Sequence, residues 1–240
     1  MAGTLYKYTK RIVMHKIALL FLVSLPVFSG FFPNTVHTAI KETQNATIKL
    51  ATPFPKTGMS GVVIHAYENG LTAITSRMAQ TSVDGSGTLL DADIIHHDKL
   101  PTIKTPVQVG DKVIGGYLYE NVLLLAPDAD TYTRIVKSYS KKWVHPDLYA
   151  TYLSVEGESK PTRENLADFA KKYLVGLIYI VRKDSEILLD PISGKIVSKK
   201  SIQNLPTQAQ FPFYMRFGKL ESGWFGSEAK GNYYDVMGAL

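Results

Sequence analysis

Five histidines fall in residues 30–240 (His37, His65, His96, His97 and His145), and each is a place to look for chemistry. His96-His97-Asp98 places three metal-ligating side chains in a row. Neighbours in an extended strand point to opposite faces, so one ion does not easily take both imidazoles, and a competent site needs ligands from elsewhere. The expectation is a solvated strand end. Asp128-Ala129-Asp130 has the D-x-D spacing of metal and nucleotide-sugar sites, but it precedes a helical pattern, where an aspartate caps free backbone N–H groups. Asp84-Gly85-Ser86-Gly87 contains Gly-x-Gly, yet Leu90 stands where the third glycine of a phosphate-binding fingerprint belongs. It reads as a plain turn. His145-Pro146-Asp147 spells a cochaperone tripeptide that works on a helical hairpin with basic flanks. Its mixed α/β surroundings favour a structural corner instead, with Asp147 capping and His145 hydrogen-bonded. A hydrolase would need His145 or His65 to meet an acid and a hydroxyl nucleophile in space, and no G-x-S-x-G stretch supplies one. The chain has no cysteine, which removes thiol catalysis, thiolate metal sites and disulfides. These residues read as a protein that is not an enzyme and takes no cofactor or metal.

The elements that would position such groups change character at Pro127. Before it the chain is β-rich. Segment 46–51 reads as a first strand, and 60–67 and 71–79 flank Glu68-Asn69-Gly70, the strongest short hairpin signal a sequence offers. Val107–Val109 and Lys112–Val113 read as strands about a Gly110-Asp111 turn. The apolar run Val122–Ala126 suits a strand buried on both faces. Short strands at this spacing suggest a small barrel or sandwich. After Pro127 the pattern is mixed. Asp128 or Asp130 can cap a helix whose inner stripe is Tyr132, Ile135, Val136 and Tyr139, with Lys137, Lys141 and Lys142 suiting the negative pole at its end. Residues 161–173 form a second helix, capped by Thr162, with Leu166, Phe169, Ala170 and Tyr173 on one face. Residues 174–181 are a second buried strand, 186–190 and 195–198 a hairpin, 213–217 a last aromatic strand, and 218–240 a Gly- and aromatic-rich tail. The expected fold class is α+β: a β-rich N-terminal half over 45–127 followed by a mixed α/β half over 128–240. The boundary is compatible with a linker or with a seam in one continuous domain.

The first 29 residues read as a signal peptide. Lys7, Lys10, Arg11 and Lys16 precede the apolar stretch Ile17–Phe28, which is short of the roughly 20 residues of a spanning helix. Cleavage after Ser29 leaves a flexible segment over 30–44. The whole chain has 27 basic and 21 acidic residues. Removing the four basic residues of 1–29 leaves 23 against 21, a net charge of +2. No concentrated basic face remains for nucleic acid. Export without cysteine fits a Gram-negative periplasm or cell surface, with no transmembrane span after cleavage. In the tail, Trp224, Tyr233 and Tyr234 are suited either to packing or to a partner surface.

SGVVIHAY at 60–67, VQVGDKV at 107–113, NVLLLAPDADTYTRI at 121–135, KKWVHPDLYATYL at 141–153, FAKKYLVGLIYIV at 169–181, FPFYMRFGKLESGWF at 211–225 and NYYDVMGAL at 232–240 carry a resemblance. Together they resemble the N-terminal domain family of plasminogen-binding protein A, an epsilonproteobacterial envelope protein. The resemblance implies a secreted or surface-associated binding protein without a catalytic centre, with host plasminogen as partner. Kringle domains recognise a lysine with a nearby carboxylate, most readily a C-terminal lysine. These residues end Gly238-Ala239-Leu240, so the expected handles are internal: Lys219 with Glu221, and Lys230 with Glu228, beside Trp224. The alternative is a periplasmic envelope-assembly or housekeeping module that has a native bacterial envelope partner and does not bind plasminogen.

Overall fold

Residues 30–68, 70–90, 105–217, 221–222, 227–228 and 230–240 are described by a computed structural model of the chain. The expected signal peptide over 1–29, His96-His97-Asp98, Lys219 and Trp224 lie outside them.

Alternating apolar residues and tight turns in the first half build six short strands. They are β1 (Val36–Gln44), β2 (Thr47–Leu50), β3 (Ser60–Ala66), β4 (Thr72–Gln80), β5 (Ser86–Leu89) and β6 (Lys112–Gly115). They close into a barrel in the order β1-β2-β5-β4-β3-β6, every pair antiparallel. Closure leaves no unpaired edge. Ile40, Ile48, Leu50, Val63, Met78 and Val113 are buried together in its core. Phe54 joins them, with its ring against Gly115, where an added Cβ would lie 2.5 Å from the ring. The Gln80 side chain clamps the Phe54 backbone, accepting its N–H at 2.6 Å and donating to its carbonyl at 3.2 Å. The expected flexible segment 30–44 contains β1. Ile40 is the one buried residue among its nine, so a polar outer side concealed the strand. Residues 107–109 are not a strand. They lead into a turn in which Gly110 has φ +94° and its N–H bonds the Ile40 carbonyl.

The second layer is a five-stranded sheet of β7 (Asn121–Leu125), β8 (Lys142–Val144), β9 (Leu177–Val181), β10 (Ser185–Asp190) and β11 (Lys195–Ser201), in the order β11-β10-β9-β7-β8. β7 runs parallel to β8 and β9, and β10 and β11 follow as an antiparallel meander. The VLLLA strand therefore begins this sheet rather than ending the barrel. Its side chains alternate between two cores, as strand geometry requires. Val122 and Leu124 face the barrel and Leu123 and Leu125 face away. Helix α1 (Ala129–Ser138) packs Ile135 on the barrel side. Helices α2 (Pro146–Val155), α3 (Arg163–Tyr173) and α4 (Tyr233–Ala239) cover the far side with Tyr149, Leu153, Leu166, Phe169, Tyr233 and Met237.

Local chemistry accounts for the helix ends. Asp128 caps α1, accepting the Thr131 N–H at 2.7 Å. α1 stops at Ser138, so Lys141 and Lys142 lie beyond it, and Lys142 opens β8. Pro146 sits in the first turn of α2, where its missing N–H is not needed. The sequence reading saw only a corner there. Thr162 and Asn165 form a reciprocal capping box on α3. The Tyr149 hydroxyl also donates to Asn165 at 2.5 Å, tying α2 to α3. Residues 213–217 are not a strand. The Tyr214 N–H bonds the Ala126 carbonyl and the Met215 N–H the Gln210 side chain, so the segment crosses the sheet end with Phe213 buried. The tail is not merely irregular: Asn232 caps α4, and Tyr233 is buried rather than presented to a partner. Two-residue strands β12 (Glu221–Ser222) and β13 (Ser227–Glu228) pair just before it.

Candidate functional site

α1 and α2 leave β7 and β8 toward opposite faces, α1 packing on the barrel side and α2 on the far side, which makes the carboxyl ends of those strands the first place to look. In parallel sheets this is the usual place for a ligand. His145 ends β8 and caps α2, its Nδ1 accepting the Asp147 N–H at 3.2 Å. Asp147 is not the cap. Its carboxylate binds Arg216 twice, through the guanidinium Nε at 2.6 Å and the backbone N–H at 2.9 Å. The Tyr132 ring lies 5.5 Å from His145 and 5.2 Å from Tyr214.

Electrostatics here favour a fixed corner over acid–base work. Burial, helped by Arg216, pushes the His145 imidazole below its ordinary value against the pull of Asp147. The neutral ring with its proton on Nε2 is then the form that accepts the Asp147 amide. Burial raises the Asp147 carboxyl, but the two Arg216 bonds and the His145 and Arg216 charges outweigh it and leave the group lowered. The carboxylate is committed to arginine, not to orienting a base. Among the described residues no hydroxyl nucleophile completes a triad at His145.

The other histidine candidate resolves the same way. His65 Nδ1 lies 2.7 Å from Asp111 Oδ1, and the second Asp111 oxygen accepts the Gln108 N–H at 2.8 Å. The Tyr67 hydroxyl pairs with Thr105 at 2.7 Å. These bonds fasten the loop before β6 onto β3. Among the described residues no group of three or more His, Asp or Glu is placed to hold a metal ion.

A third acid carries the largest structural role. Asp190 is fully buried at the end of β10. One oxygen accepts the Ser60 N–H at 2.8 Å and the Tyr119 hydroxyl at 2.6 Å, and the other accepts the Ile192 and Ser193 N–H groups at 2.9 and 3.0 Å. Ser193 Oγ donates to the Gly58 carbonyl at 2.6 Å. Burial pushes the Asp190 carboxyl up, against the donors that favour its charged form. The node latches the barrel to the sheet.

Binding surfaces remain. Of the expected partner residues, Lys219 and Trp224 lie outside the described residues, Lys230 is exposed, and Glu221 falls in β12 opposite Glu228 of β13. A lysine–carboxylate face that the sequence reading did not single out lies on α3. Asp168, Lys171 and Lys172 are all exposed, and their spacing of three and four residues puts them on one side of the helix. The Lys172 ammonium lies 5.6 Å from the Tyr152 ring and 5.9 Å from the Tyr173 ring. Only the period of α3 hinted at this face. Arg216 had no local signal at all, since it meets Asp147 across 69 residues of sequence.

The N-terminal domain family of plasminogen-binding protein pgbA matches residues 35–240. The chain belongs to this family. Plasminogen-binding protein PgbA of Helicobacter pylori strain 26695 is 26% identical over 187 residues, which cover 74% of this chain and 38% of that protein. The same protein from strain J99 is 25% identical over 187 residues with the same coverage. This chain thus spans well under half the length of these relatives. No solved structure matches it.

Proposed function

We propose that the chain is an exported binding protein of the bacterial envelope that takes plasminogen through surface lysines. The observation that carries this reading is the family match over 35–240, with relatives named for plasminogen binding. The geometry supports binding over catalysis. Both histidine–aspartate pairs are engaged in fastening loops and helix ends, and the lysines are displayed. On α3 a carboxylate stands one turn from two lysines, the juxtaposition of cation and anion that a lysine-binding kringle pocket recognises. Stacking over two tyrosine rings holds one of those lysines in place. The charged and apolar stretch over 1–29, read as a signal peptide, supports export. Among the described residues no helix is long and apolar enough to cross a membrane, in keeping with a periplasmic or cell-surface location.

The test is binding of the folded protein to immobilised plasminogen, with and without a free lysine analogue. Saturable, analogue-competed binding at physiological salt is expected. Joint replacement of Lys171 and Lys172 by Ala should weaken it about tenfold, about 1.4 kcal/mol. A Lys230→Ala exchange then shows whether the tail contributes. No binding by a protein that melts cooperatively would overturn the reading.

A further inference from the structure

The end of α3 breaks a backbone rule. Among the described residues, Asn45, Leu174 and Asn204 are the non-glycine residues with positive φ. Asparagine enters the left-handed region readily, whereas a leucine side chain crowds the backbone there. Leu174 holds φ 54° and ψ 42° directly after α3, where helices that end in this way usually carry glycine. Its neighbours lock it in place. The Leu174 and Val175 N–H groups both donate to the Ala170 carbonyl, the second at 3.0 Å, and the Leu174 carbonyl accepts the Asn121 Nδ2 at 2.8 Å. The apolar pairing that accompanies such a cap falls to Val175 and Ala170, which are buried in one core. The Leu174 side chain takes no part in that pairing and stays 47% exposed. Glycine would serve the turn with less strain, so the leucine side chain calls for a use outside the fold.

Its surroundings say which use. Leu174 directly follows the lysine face of α3, with Lys171 and Lys172 just before it and Asp168 one turn back. The Lys172 ammonium is held near the Tyr152 and Tyr173 rings. On α2, Val155 follows Tyr152 by three residues, which makes the two neighbours on the helix surface, and it is 76% exposed. The lysines and their carboxylate therefore have an exposed apolar residue at the end of each of the two helices that build the face. Charged contacts strengthen when neighbouring apolar contacts keep water from them. Lys41 and Glu42 of β1 form an exposed pair as well, 3.8 Å apart, but their apolar neighbour Ile40 is buried in the barrel.

We propose that Leu174 is a specificity-determining contact of this face. A lysine-binding domain that takes the α3 lysines covers the leucine, and the covered leucine excludes water from the cation and the carboxylate. The inference rests on the plasminogen reading above. It adds the apolar residue that sets this face apart from other lysine–carboxylate pairs on the surface.

The experiment uses the full chain, immobilised plasminogen and a free lysine analogue. Leu174→Gly removes the side chain and suits the left-handed backbone. Its urea midpoint should equal or exceed that of the wild type, while its affinity for plasminogen falls about fivefold, the loss expected when a half-exposed leucine is no longer covered. The binding that remains should still be competed by the analogue. Leu174→Asn, which also tolerates this backbone, should behave in the same way. Val83→Ala, at an 82% exposed residue in the β4–β5 turn of the barrel, should bind as the wild type does. Wild-type affinity in a folded Leu174→Gly or Leu174→Asn chain overturns the inference and leaves the plasminogen reading standing. A lowered urea midpoint in both variants also overturns it, because the side chain then belongs to the fold. A wild-type chain that melts cooperatively and does not bind plasminogen overturns both.

Discussion

The two faces of the central sheet each bury a tyrosine completely, and they treat it in opposite ways. On the face covered by α2, α3 and α4, the Tyr233 hydroxyl reaches the Leu125 and Val181 carbonyls at 2.9 and 2.7 Å. It pins α4 across the ends of β7 and β9. On the barrel face, the Tyr179 hydroxyl reaches no backbone carbonyl and lies beside the Glu186 carboxylate, and burial with that charge drives its ionisation far upward. The first face is finished: Phe213 stacks on Tyr149, Phe169 meets Tyr149 edge-on, and the Tyr149 hydroxyl is also paired. The second is joined to the barrel at Asp190 and covered elsewhere by Phe31 and Phe32, whose rings pack on Tyr139, Trp143 and Tyr179. One face is scaffold throughout, and the other combines a latch with an aromatic cover.

The sharpest way to break this contrast is at the latch. Asp190→Ala leaves four donors from the barrel, the sheet turn and Tyr119 without an acceptor, and buried unpaired groups cost about 1–3 kcal/mol each. A loss of about 3 kcal/mol or more in urea unfolding is expected. Asp190→Asn should recover little, because its amide turns an N–H toward groups that are themselves donors. Tyr233→Phe should come next, with about 1–2 kcal/mol lost as a buried hydrogen bond disappears.

Acidification should loosen the finished face at its rim, where Asp147 and Arg216 fix the segment that carries Phe213. A lowered imidazole means that the unfolded chain binds the proton more tightly than the folded one. The His145 contribution is therefore complete above the ordinary value of about 6.5 and is lost as pH falls through it. The Asp147 contribution is complete above about 3.8 and is lost below that, as the lowered carboxyl protonates. Unfolding midpoints measured from pH 8 down to 3 should decline in both windows, and His145→Asn should flatten the upper one. The smallest effect belongs to Tyr179→Phe, which removes a hydroxyl that has no well-aligned hydrogen-bond partner. Stability within about 0.5 kcal/mol of the wild type, or slightly above it, is expected. A loss as large as that of Tyr233→Phe would erase the difference between the faces.

What was legible in the sequence was what neighbouring residues decide. The β3–β4 hairpin followed from its Asn-Gly turn, the β10–β11 hairpin from Pro191 and Gly194, and the starts of α1 and α3 from Asp128 and Thr162. The α+β class and the barrel followed from strand spacing. What distant residues decide stayed hidden. Asp190 reads only as the last residue of a hairpin strand, yet it accepts from Ser60 across 130 positions. The rings of Phe31 and Phe32 stand in a stretch that looked irregular because its partners lie on β8, β9 and β11. α2 was masked by Pro146, which signals a break until it is seen in a first helical turn. The lysine face of α3 was not singled out, because only the apolar stripe of that helix was read and the expected handles went to the tail.

The measurement that bears most directly on function is plasminogen binding by the purified, folded chain, titrated with a free lysine analogue and compared with the Lys171→Ala/Lys172→Ala variant. Saturable binding that the analogue abolishes and the double variant weakens is the expected result. A folded chain that does not bind plasminogen, or that binds it equally well in excess lysine analogue, would contradict it.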